Sequence, residues 1–268
     1  MPEVELAADC SRCFGLCCVV PAFTVSADFA IDKPGATPCP NLGDDFGCGI
    51  HARLRERGFA GCTAYDCFGA GQRVSQVTFG GVDWRSSPET AAQMYAVFPV
   101  VRELHELRCH LGEARRHLRD ERSRGLGAEV ERLDAEVEDL AAGDPTTLGA
   151  VDLAAVGPRV GHLLARVSAT LRAPSPGPDL SRHDLVGADL RARDLRSASL
   201  RGALLLGADL RGVDLTRTDL LGADVRGARL EGTDLSRALF LTSPQVGAAR
   251  GDGTTHLPAG LGRPAHWD

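Results

Sequence analysis

A repeat of five residues runs without interruption from Pro178 to Thr242, and few folds can accommodate it. Cut into fives, this segment contains thirteen consecutive units, from PDLSR at its start to ALFLT at its end. The central residue is leucine in eleven units, and Val225 and Phe240 are the exceptions. Aspartate precedes the central residue in nine units, alanine opens seven, and glycine closes seven. Such regularity indicates that every unit makes the same turn of the backbone.

Neither regular secondary structure suits a period of five. On an α-helix, successive central residues would rotate by about 140° and scatter around the cylinder. On a strand they would alternate between two faces. If the chain instead turns a corner every five residues, four units close one square coil and every central residue points inward. Stacked coils then pair backbone to backbone and bury a continuous leucine column, and glycine suits the corner because a positive φ costs it little.

These units resemble the pentapeptide-repeat family, whose pattern is A(D/N)Lxx. The resemblance covers residues 178–242 and implies a right-handed quadrilateral β-helix. His183 and Arg193 stand at inward opening positions, which predicts a distorted first coil. Residues 243–268 resemble the cap that often follows such repeats, with Ser243 expected to N-cap a short helix over the end of the leucine column.

The outward residues of the repeats bear on what the β-helix binds. Some pentapeptide-repeat proteins imitate DNA and bind gyrase, which requires a long acidic rod. Thirteen units at four per coil give a rod of only about 15 Å, at roughly 4.8 Å per coil, and ten arginines balance the ten acidic residues between 178 and 242. Outward apolar side chains on adjacent faces instead predict an interaction surface, for the helical segment or for a partner protein. Its residues are Val186, Leu204, Leu206, Leu221, Leu239 and Leu241.

The amino-terminal part of the chain is rich in cysteine. Eight of the nine cysteines lie between Cys10 and Cys67. The start, MPEVELAADC, lacks the basic and apolar stretches of a signal peptide, and no window approaches the roughly 18 apolar residues of a membrane span. We therefore expect a cytoplasmic protein without membrane contact, in which reduced thiols indicate metal or redox chemistry. The net charge of −6 argues against direct binding of nucleic acid.

The spacing of these cysteines favours metal ligation. Two residues separate Cys10 from Cys13, so both thiolates can reach one tetrahedral ion, and a later C-x4-C pair can do the same. Cys17 and Cys18 are adjacent and cannot easily serve one ion. Eight thiolates suit two four-cysteine sites, or one site with spare thiols. The predicted ligands are Cys10, Cys13, Cys17, Cys18, Cys39, Cys48, Cys62, Cys67 and His51.

The pattern CSRCFGLCC…CGIH…CTAYDC resembles, more distantly, a bacterial family of zinc- or iron-chelating domains that carries CxxCxxCC followed by later cysteines. That resemblance implies ligands at Cys10, Cys13, Cys17, Cys18, Cys48 and Cys62. Here one extra residue separates Cys13 from the cysteine pair, and the family's arginine–proline step is missing. The whole chain is also similar to an actinobacterial group that joins such an N-terminus to pentapeptide repeats.

Between residues 86 and 172 the apolar spacing is typical of amphipathic helices. Ser87 is expected to N-cap the first helix, RGLG near Gly125 to break it, and GDP at 143–145 to end the second. Three such helices predict a small antiparallel bundle. The preceding stretch, QRVSQVTFGGVDW, is expected to form a strand, and APSPGP, which follows the third helix, a stiff linker.

The fold class that follows is a multi-domain α+β protein. Its predicted segments are a Cys-rich metal-binding unit at 1–85, a helical bundle at 86–172, a Pro-rich linker at 173–178, the β-helix at 178–242 and a cap at 243–268.

The function that these segments favour is a non-catalytic interaction or regulatory module that carries a cysteine-ligated metal and binds a protein partner. Zinc is favoured over iron, because it can hold together a domain with few core residues. The alternative is a redox enzyme or sensor that contains iron or an iron–sulfur cluster and uses the β-helix as a platform. A gyrase-binding DNA mimic is the third interpretation.

Overall fold

The computed structural model describes residues 6–118 and 123–267. Two compact units make up the chain, the first from Met1–Cys62 with Asp66–Leu164 and the second from Thr63–Tyr65 with Ala165–Asp268. Among the helices of the described ranges, none combines the length and the apolar character that a membrane span requires.

Helices dominate the described chain outside the repeats. In chain order the α-helices are α1 Leu16–Val19, α2 Ala60–Thr63, α3 Ala70–Gln72, α4 Pro88–His117, α5 Arg124–Ala141, α6 Pro145–Gly149, α7 Leu153–Arg172 and α8 Ser243–Ala248. Two 3-10 turns, Cys10–Arg12 and His51–Arg53, precede α1 and α2, and a π-helical turn, Arg73–Thr78, continues α3. Helix α7 begins in the first unit and ends in the second.

The longest helix, α4, starts where the sequence predicts. The hydroxyl of Ser87 accepts a hydrogen bond from the Thr90 N–H at 3.1 Å, and Pro88 occupies the first turn. Apolar residues at three- and four-residue spacing, such as Met94 and Leu104, are fully buried. They form the face of α4 that packs into the core of the first unit.

The break after α4 lies earlier than the RGLG motif predicts. Helix α4 ends at His117, and Arg124 already belongs to α5, so Gly125 and Gly127 lie in the first turn of α5. A first turn tolerates glycine, because its N–H groups have no intrahelical acceptor and hold the backbone less tightly.

The end of α5 agrees with the sequence. The helix stops at Ala141, and the Asp144 carboxylate caps α6 by accepting a hydrogen bond from the Thr147 N–H at 2.7 Å. Helices α5 and α7 are then joined by a bidentate ion pair, in which the Arg159 guanidinium donates to the two Glu136 oxygens at 2.5 and 2.7 Å.

The prediction of a strand at QRVSQVTFGGVDW was wrong: all of its residues are described, and none lies in a strand. Gly69, with φ of +77°, precedes α3, and the chain continues through the π-helical turn. Val74 and Ser75 are both buried, whereas Val77 is 59% exposed. Strands alternate between faces and do not bury neighbouring residues on one side. Packing around the buried pair therefore overrides the preference of valine for strands.

The pentapeptide repeats form the predicted stacked coils. Isolated parallel bridges join residues twenty positions apart, as between Ser199 and Asp219, and the Leu200 N–H donates to the Asp219 carbonyl at 2.9 Å. This spacing confirms that four pentapeptides close one coil. The central leucines from Leu190 onward are buried, and Val225 and Phe240 take the same inward position.

Glycine closes the corners of the coils as the sequence predicts. The seven glycines at the fifth position of a unit all have φ between +64° and +70°. Arg182, Ser197 and Arg217 adopt a similar positive φ at three other corners. Because side chains with a Cβ rarely favour this region, the coil geometry overrides the local preference there.

The start of the β-helix departs from the regular pattern. His183 and Arg193 are exposed rather than inward, and among the described residues the bridges skip Asp194. The segment predicted as a linker is held against this first coil, since the Gly177 N–H donates to the Ser197 carbonyl at 3.0 Å.

The far end of the β-helix is capped by α8 and the chain terminus. The N-cap of α8 is Thr242 rather than Ser243, because the Thr242 and Gln245 side chains form a capping box. Trp267 is buried there and its indole N–H donates to the Ala249 carbonyl at 3.1 Å. The cap thus covers the last leucine layer.

Candidate functional site

Four cysteines from distant parts of the sequence line one pocket of the first unit, together with Asp9, Gln72 and Phe98. The pocket is small and partly open to solvent. We call these cysteines the first thiol group: Cys10, Cys13, Cys17 and Cys67. A 3-10 turn, the start of α1 and the loop before α3 supply them, so the fold brings together thiols that the sequence separates.

Buried polar side chains brace the loop that carries the first of these thiols. The Gln72 amide donates to the Ala7 carbonyl at 2.7 Å and accepts from the Asp9 N–H at 3.2 Å. The Ser75 hydroxyl accepts from the Phe14 N–H at 3.0 Å. These bonds fix the amino-terminal loop against α3 and the π-helical turn on both sides of the CxxC pair.

Gly71 lets the backbone of α3 approach the thiols closely. A Cβ at this position would lie 2.6 Å from the Cys13 sulfur and 3.7 Å from the Cys67 sulfur. Because the first distance is much shorter than a van der Waals contact, any side chain here would displace the Cys13 thiol. The absence of a side chain at this position is part of how the pocket is built.

Desolvation favours the neutral form of the thiols in this pocket. It is the largest cause of the raised pKa of Cys13, and the backbone N–H groups of Leu16 and Gly15 oppose it. Desolvation, followed by the nearby Cys67 thiol, also raises the pKa of Cys10. A bound cation would reverse this preference, because metal ions coordinate the thiolate.

The other four cysteines of the region form a second thiol group: Cys18, Cys39, Cys48 and Cys62. The Cys39 N–H donates to the Cys18 carbonyl at 2.9 Å, and an antiparallel bridge joins Leu42 to Cys48 across the next turn. Burial, with smaller contributions from the other three thiols of the group, raises the pKa of Cys62 to about 11. Cys62 therefore lies within electrostatic range of the other three thiols.

The two thiol groups meet at the adjacent cysteines in α1. The sulfurs of Cys17 and Cys18 are 4.0 Å apart. The hydrogen bond between them raises the pKa of Cys17 and lowers that of Cys18 to about 7, and the Lys33 ammonium contributes to the lowering. The negative charge is therefore favoured at Cys18.

The single lysine of the chain lies buried beside the second thiol group. Lys33 is 3% exposed, and its ammonium donates to three backbone carbonyls, including those of Val19 at 2.8 Å and Thr37 at 2.9 Å. These carbonyls belong to residues one and two positions from Cys18 and Cys39, respectively. The ammonium is thus a fixed positive charge next to two thiols.

Within residues 6–118 and 123–267, no three His, Cys, Asp or Glu side chains are gathered closely enough to hold a metal ion. The two thiol groups are therefore neighbourhoods rather than coordination shells. Their donor chemistry still fits zinc or iron, since both metals bind thiolates. His51 lies exposed in its 3-10 turn, and neither thiol group includes it.

The interaction surface predicted from the sequence differs in exposure along the β-helix. Its six residues divide into the exposed Val186 and Leu204, the half-buried Leu206 and Leu221, and the buried Leu239 and Leu241. Val186 and Leu204 are 56% and 43% exposed and lie on successive coils of one face, where Leu204 bridges to Asp184. We call these two residues the exposed apolar pair. The two buried leucines are not available to an outside partner.

Charged side chains of the β-helix pair locally. The Arg211 guanidinium donates to the Asp209 carboxylate at 2.6 Å, and Arg191 and Arg229 approach the same carboxylate from neighbouring coils at 3.6 and 3.7 Å. The hydrogen bond from Arg211 is the largest cause of the lowered pKa of Asp209. The acidic residues of this face are thus neutralised by arginine rather than displayed as a polyanion.

Sequence reasoning missed three residues that shape the thiol region: Lys33, Gly71 and Gln72. A signal existed for Lys33, which is the only lysine among thirty basic residues. Gly71 lies in the FGAG that follows Cys67, and only the folded structure shows that the thiols lie against its backbone. Gln72 acts through contacts with residues more than sixty positions away.

Comparison with known sequences identifies the repeats. Residues 194–232 match the family "Pentapeptide repeats" in eight copies. Over nearly its whole length the chain is similar to the uncharacterized protein YybG of Bacillus subtilis (strain 168), with 52% identity over 268 residues, 98% of this chain and 95% of that protein.

Solved structures similar to this chain include two pentapeptide repeat proteins. One is from the Arabidopsis thaliana thylakoid lumen, with 33% identity over 31% of this chain and 57% of that chain and a TM-score of 0.27. The other is Rfr23 from the cyanobacterium Cyanothece 51142, with 27% identity over 30% of this chain and 53% of that chain and a TM-score of 0.23. The matched part is little more than half of each of those chains.

Proposed function

Because this chain belongs to the family of the Bacillus subtilis protein YybG and carries pentapeptide repeats at 194–232, we propose that it is a non-catalytic interaction module stabilised by a cysteine-ligated zinc ion. The zinc stabilises the N-terminal domain, and the β-helix offers a rigid surface to a protein partner. The observation that carries this proposal is the pocket lined by the first thiol group.

The first thiol group has the composition of a structural zinc site. Four thiolates complete a tetrahedral zinc shell and leave no open position for a substrate. Cys10 and Cys13 supply the CxxC pair, Cys17 follows on α1, and Cys67 comes from the loop before α3. A zinc ion among them would cross-link the amino-terminal loop to the loop before α3, and Gly71 of α3 leaves room for the sulfurs.

Iron is the rival metal, because four thiolates also hold iron–sulfur clusters. The two metals differ in a property that is simple to measure. Zinc has a filled d shell and gives no visible absorbance, whereas an iron–sulfur centre is coloured. Zinc is our assignment because the domain has few buried apolar residues and benefits from a cross-link.

The exposed apolar pair supports a protein partner for the β-helix. Val186 and Leu204 are open to solvent on a face whose backbone is fixed by coil-to-coil hydrogen bonds. A rigid apolar patch loses little conformational entropy on binding, which favours a protein surface as the partner. Pairing of acidic side chains with arginine, as at Asp209, disfavours the gyrase-binding alternative.

Metal analysis with an absorption spectrum tests the zinc assignment, on protein purified anaerobically without a metal-affinity tag. We expect bound zinc, no visible absorbance, and loss of zinc from the pocket in Cys13→Ser. Cys109→Ser is the matched control, because Cys109 lies in α4 and outside both thiol groups. Absence of metal, or stoichiometric iron with visible absorbance, would overturn the assignment.

Site-specific crosslinking in cells tests the interaction surface. A photoreactive amino acid replaces Val186 or Leu204, and in the control it replaces Ser236, which is exposed on a different face. We expect a discrete protein adduct from the two test positions that is missing from the control. Identical adducts from all three positions, or none from any, would remove the support for a partner at this face.

A further inference from the structure

We infer that the second thiol group, Cys18, Cys39, Cys48 and Cys62, is a second and separate four-thiolate zinc site. This inference rests on the thiolate–zinc chemistry of the proposed function but concerns different thiols. It predicts two zinc ions per chain and divides the eight cysteines between them without overlap.

The backbone brings three thiols of this group to one place. The Cys39 N–H donates to the Cys18 carbonyl at 2.9 Å, which sets the loop at Cys39 directly beside α1. The chain then turns back on itself: the Leu42 N–H donates to the Cys39 carbonyl at 3.0 Å, and Leu42 bridges to Cys48. Cys39 and Cys48 thus lie on either side of Leu42, in a loop that is hydrogen-bonded to Cys18.

The fourth thiol arrives on α2. The Gly61 N–H donates to the Asp28 carbonyl at 3.1 Å, and the Phe29 ring packs against Gly61. Phe29 in turn stacks on Phe23 with ring centroids 4.3 Å apart. These contacts hold α2 against the loop that follows α1, and Cys62 is the next residue of the helix after Gly61.

The adjacent cysteines of α1 explain why the eight thiols divide into two sets of four. Consecutive helical residues point about 100° apart, which favours Cys17 and Cys18 as ligands of different ions. Cys17 lines the pocket of the first group, and Cys18 does not. Their sulfurs are 4.0 Å apart, so the two thiol groups adjoin at this pair.

A buried cation beside the second group provides independent support. Four thiolates around Zn²⁺ carry a net charge of −2, and burying that charge needs compensation. The Lys33 ammonium is fixed by carbonyls that flank Cys18 and Cys39 in sequence, and it is 3% exposed. An ammonium is costly to bury without an anionic partner, and the three groups to which the Lys33 ammonium donates are all neutral carbonyls. The zinc–thiolate centre would be that partner.

Zinc binding would draw these sulfurs together and release a proton from each thiol that enters as thiolate. No other reactant is needed, because the ion keeps its charge of +2 and no electron moves.

Titration of the metal-free protein with cobalt(II) tests the number of sites. We expect two equivalents bound with thiolate charge-transfer absorbance, one equivalent in Cys39→Ser/Cys48→Ser, and one in Cys10→Ser/Cys13→Ser. Cys109→Ser should keep both. A single equivalent in the native protein that is retained in Cys39→Ser/Cys48→Ser would overturn the second site and leave the proposed function intact.

Differential alkylation of the native zinc protein avoids dependence on variants that fail to fold. Thiols are labelled before and after chelation and located by mass spectrometry. We expect protection of the second group by zinc, in addition to the first. Protection of the first group alone overturns this inference, whereas protection of the second group alone supports it and overturns the proposed pocket site.

Substitution of Lys33 tests whether its charge supports the second site, because the effect on zinc affinity should be confined to that site. Lys33→Met should weaken zinc binding at the second site by about tenfold or more, as loss of an outer-shell partner does, and should leave the first site unchanged. Lys33→Arg, which keeps the charge, should restore part of the affinity. An equal loss at both sites would indicate general destabilisation and would contradict the pairing of Lys33 with the second group.

Discussion

The C-terminal β-helix and the N-terminal cysteine-rich region are stabilised in different ways. From Leu190 to Leu241 nearly every central residue of a repeat is buried in one continuous cluster. Between residues 6 and 66 the buried apolar side chains are only Leu16, Val19, Cys39, Leu54 and Phe59. A repeated apolar residue can thus build a core by itself, whereas for the irregular segment with few apolar residues we propose that metal cross-links supply the missing stability.

The sharpest test of this comparison is removal of metal. Structural zinc supplies an apparent binding free energy of about 10–16 kcal/mol in small domains, so a strong chelator should unfold the cysteine-rich region. The β-helix, whose stability comes from leucine burial, should be unaffected. Hydrogen exchange measured by mass spectrometry with and without chelator checks both halves. Unchanged protection across residues 10–67 would show that this region needs no metal.

The second test removes one member of the leucine column. Leu205 is fully buried, and Leu205→Ala should lower the free energy of unfolding of the β-helix by about 2–5 kcal/mol. Leu204→Ala is the matched control: the neighbouring side chain is 43% exposed, and its loss should change stability by about 0.5 kcal/mol or less.

The positions of the two tryptophans allow unfolding of the β-helix to be measured separately from unfolding of the other unit. Trp267 is buried in the cap of the β-helix and Trp84 lies in the other unit. Urea unfolding followed by Trp267 fluorescence in a Trp84→Phe background therefore reports on the β-helix. Equal effects of the two alanine substitutions would contradict the assignment of Leu205 to the core.

The β-helix can be predicted well from the sequence because each five-residue unit specifies its own inward residue and corner, and the same pattern recurs in every unit. A period of five fixes which residue turns inward, and glycine marks the corner in seven units, all of which have positive φ. Where a local rule competes with packing, prediction is weaker. Arg182 and Arg217 take positive φ without being glycine, and the valines after Gln72 lie in a helical turn instead of a strand.

The thiol region is harder to predict because its arrangement depends on contacts between distant residues. The sequence predicts that the cysteines cluster and that Cys17 and Cys18 separate. It does not reveal that Cys67 joins Cys10 in one pocket, or that Lys33 lies beside Cys18, since both follow from the folding of irregular loops. These ligand assignments stay predictions until metal is measured.

A third test contrasts a glycine at a corner of the β-helix with a glycine inside helix α4. Gly222 has φ of +65°, and a Cβ there would touch nothing within 4 Å. Gly222→Ala should therefore lower stability by about 1 kcal/mol through backbone strain alone. Gly112 lies inside α4, where Gly112→Ala should raise stability by about 0.5–1 kcal/mol. Chemical unfolding followed in each unit gives the two values, and the same sign for both would contradict this explanation.

The smallest expected effect concerns the exposed ion pairs of the β-helix. The Arg196 guanidinium donates to the Asp194 carboxylate at 2.9 and 2.8 Å, and this hydrogen bond is the first cause of the lowered pKa of Asp194, about 2. Because the folded pKa lies below the unfolded value of about 3.9, the pair contributes stability above pH 4 that is lost as the pH falls through about 2. Carboxyl chemical shifts measured by NMR across this range report the titration.

Arg196→Gln should return the pKa of Asp194 toward its ordinary value, whereas Arg193→Gln, at a neighbouring exposed arginine, should not. Since the pair is open to solvent, added salt should bring the pKa of Asp194 closer to its ordinary value. If neither salt nor Arg196→Gln changes the pKa of Asp194, then hydrogen bonding from the backbone, rather than Arg196, lowers it.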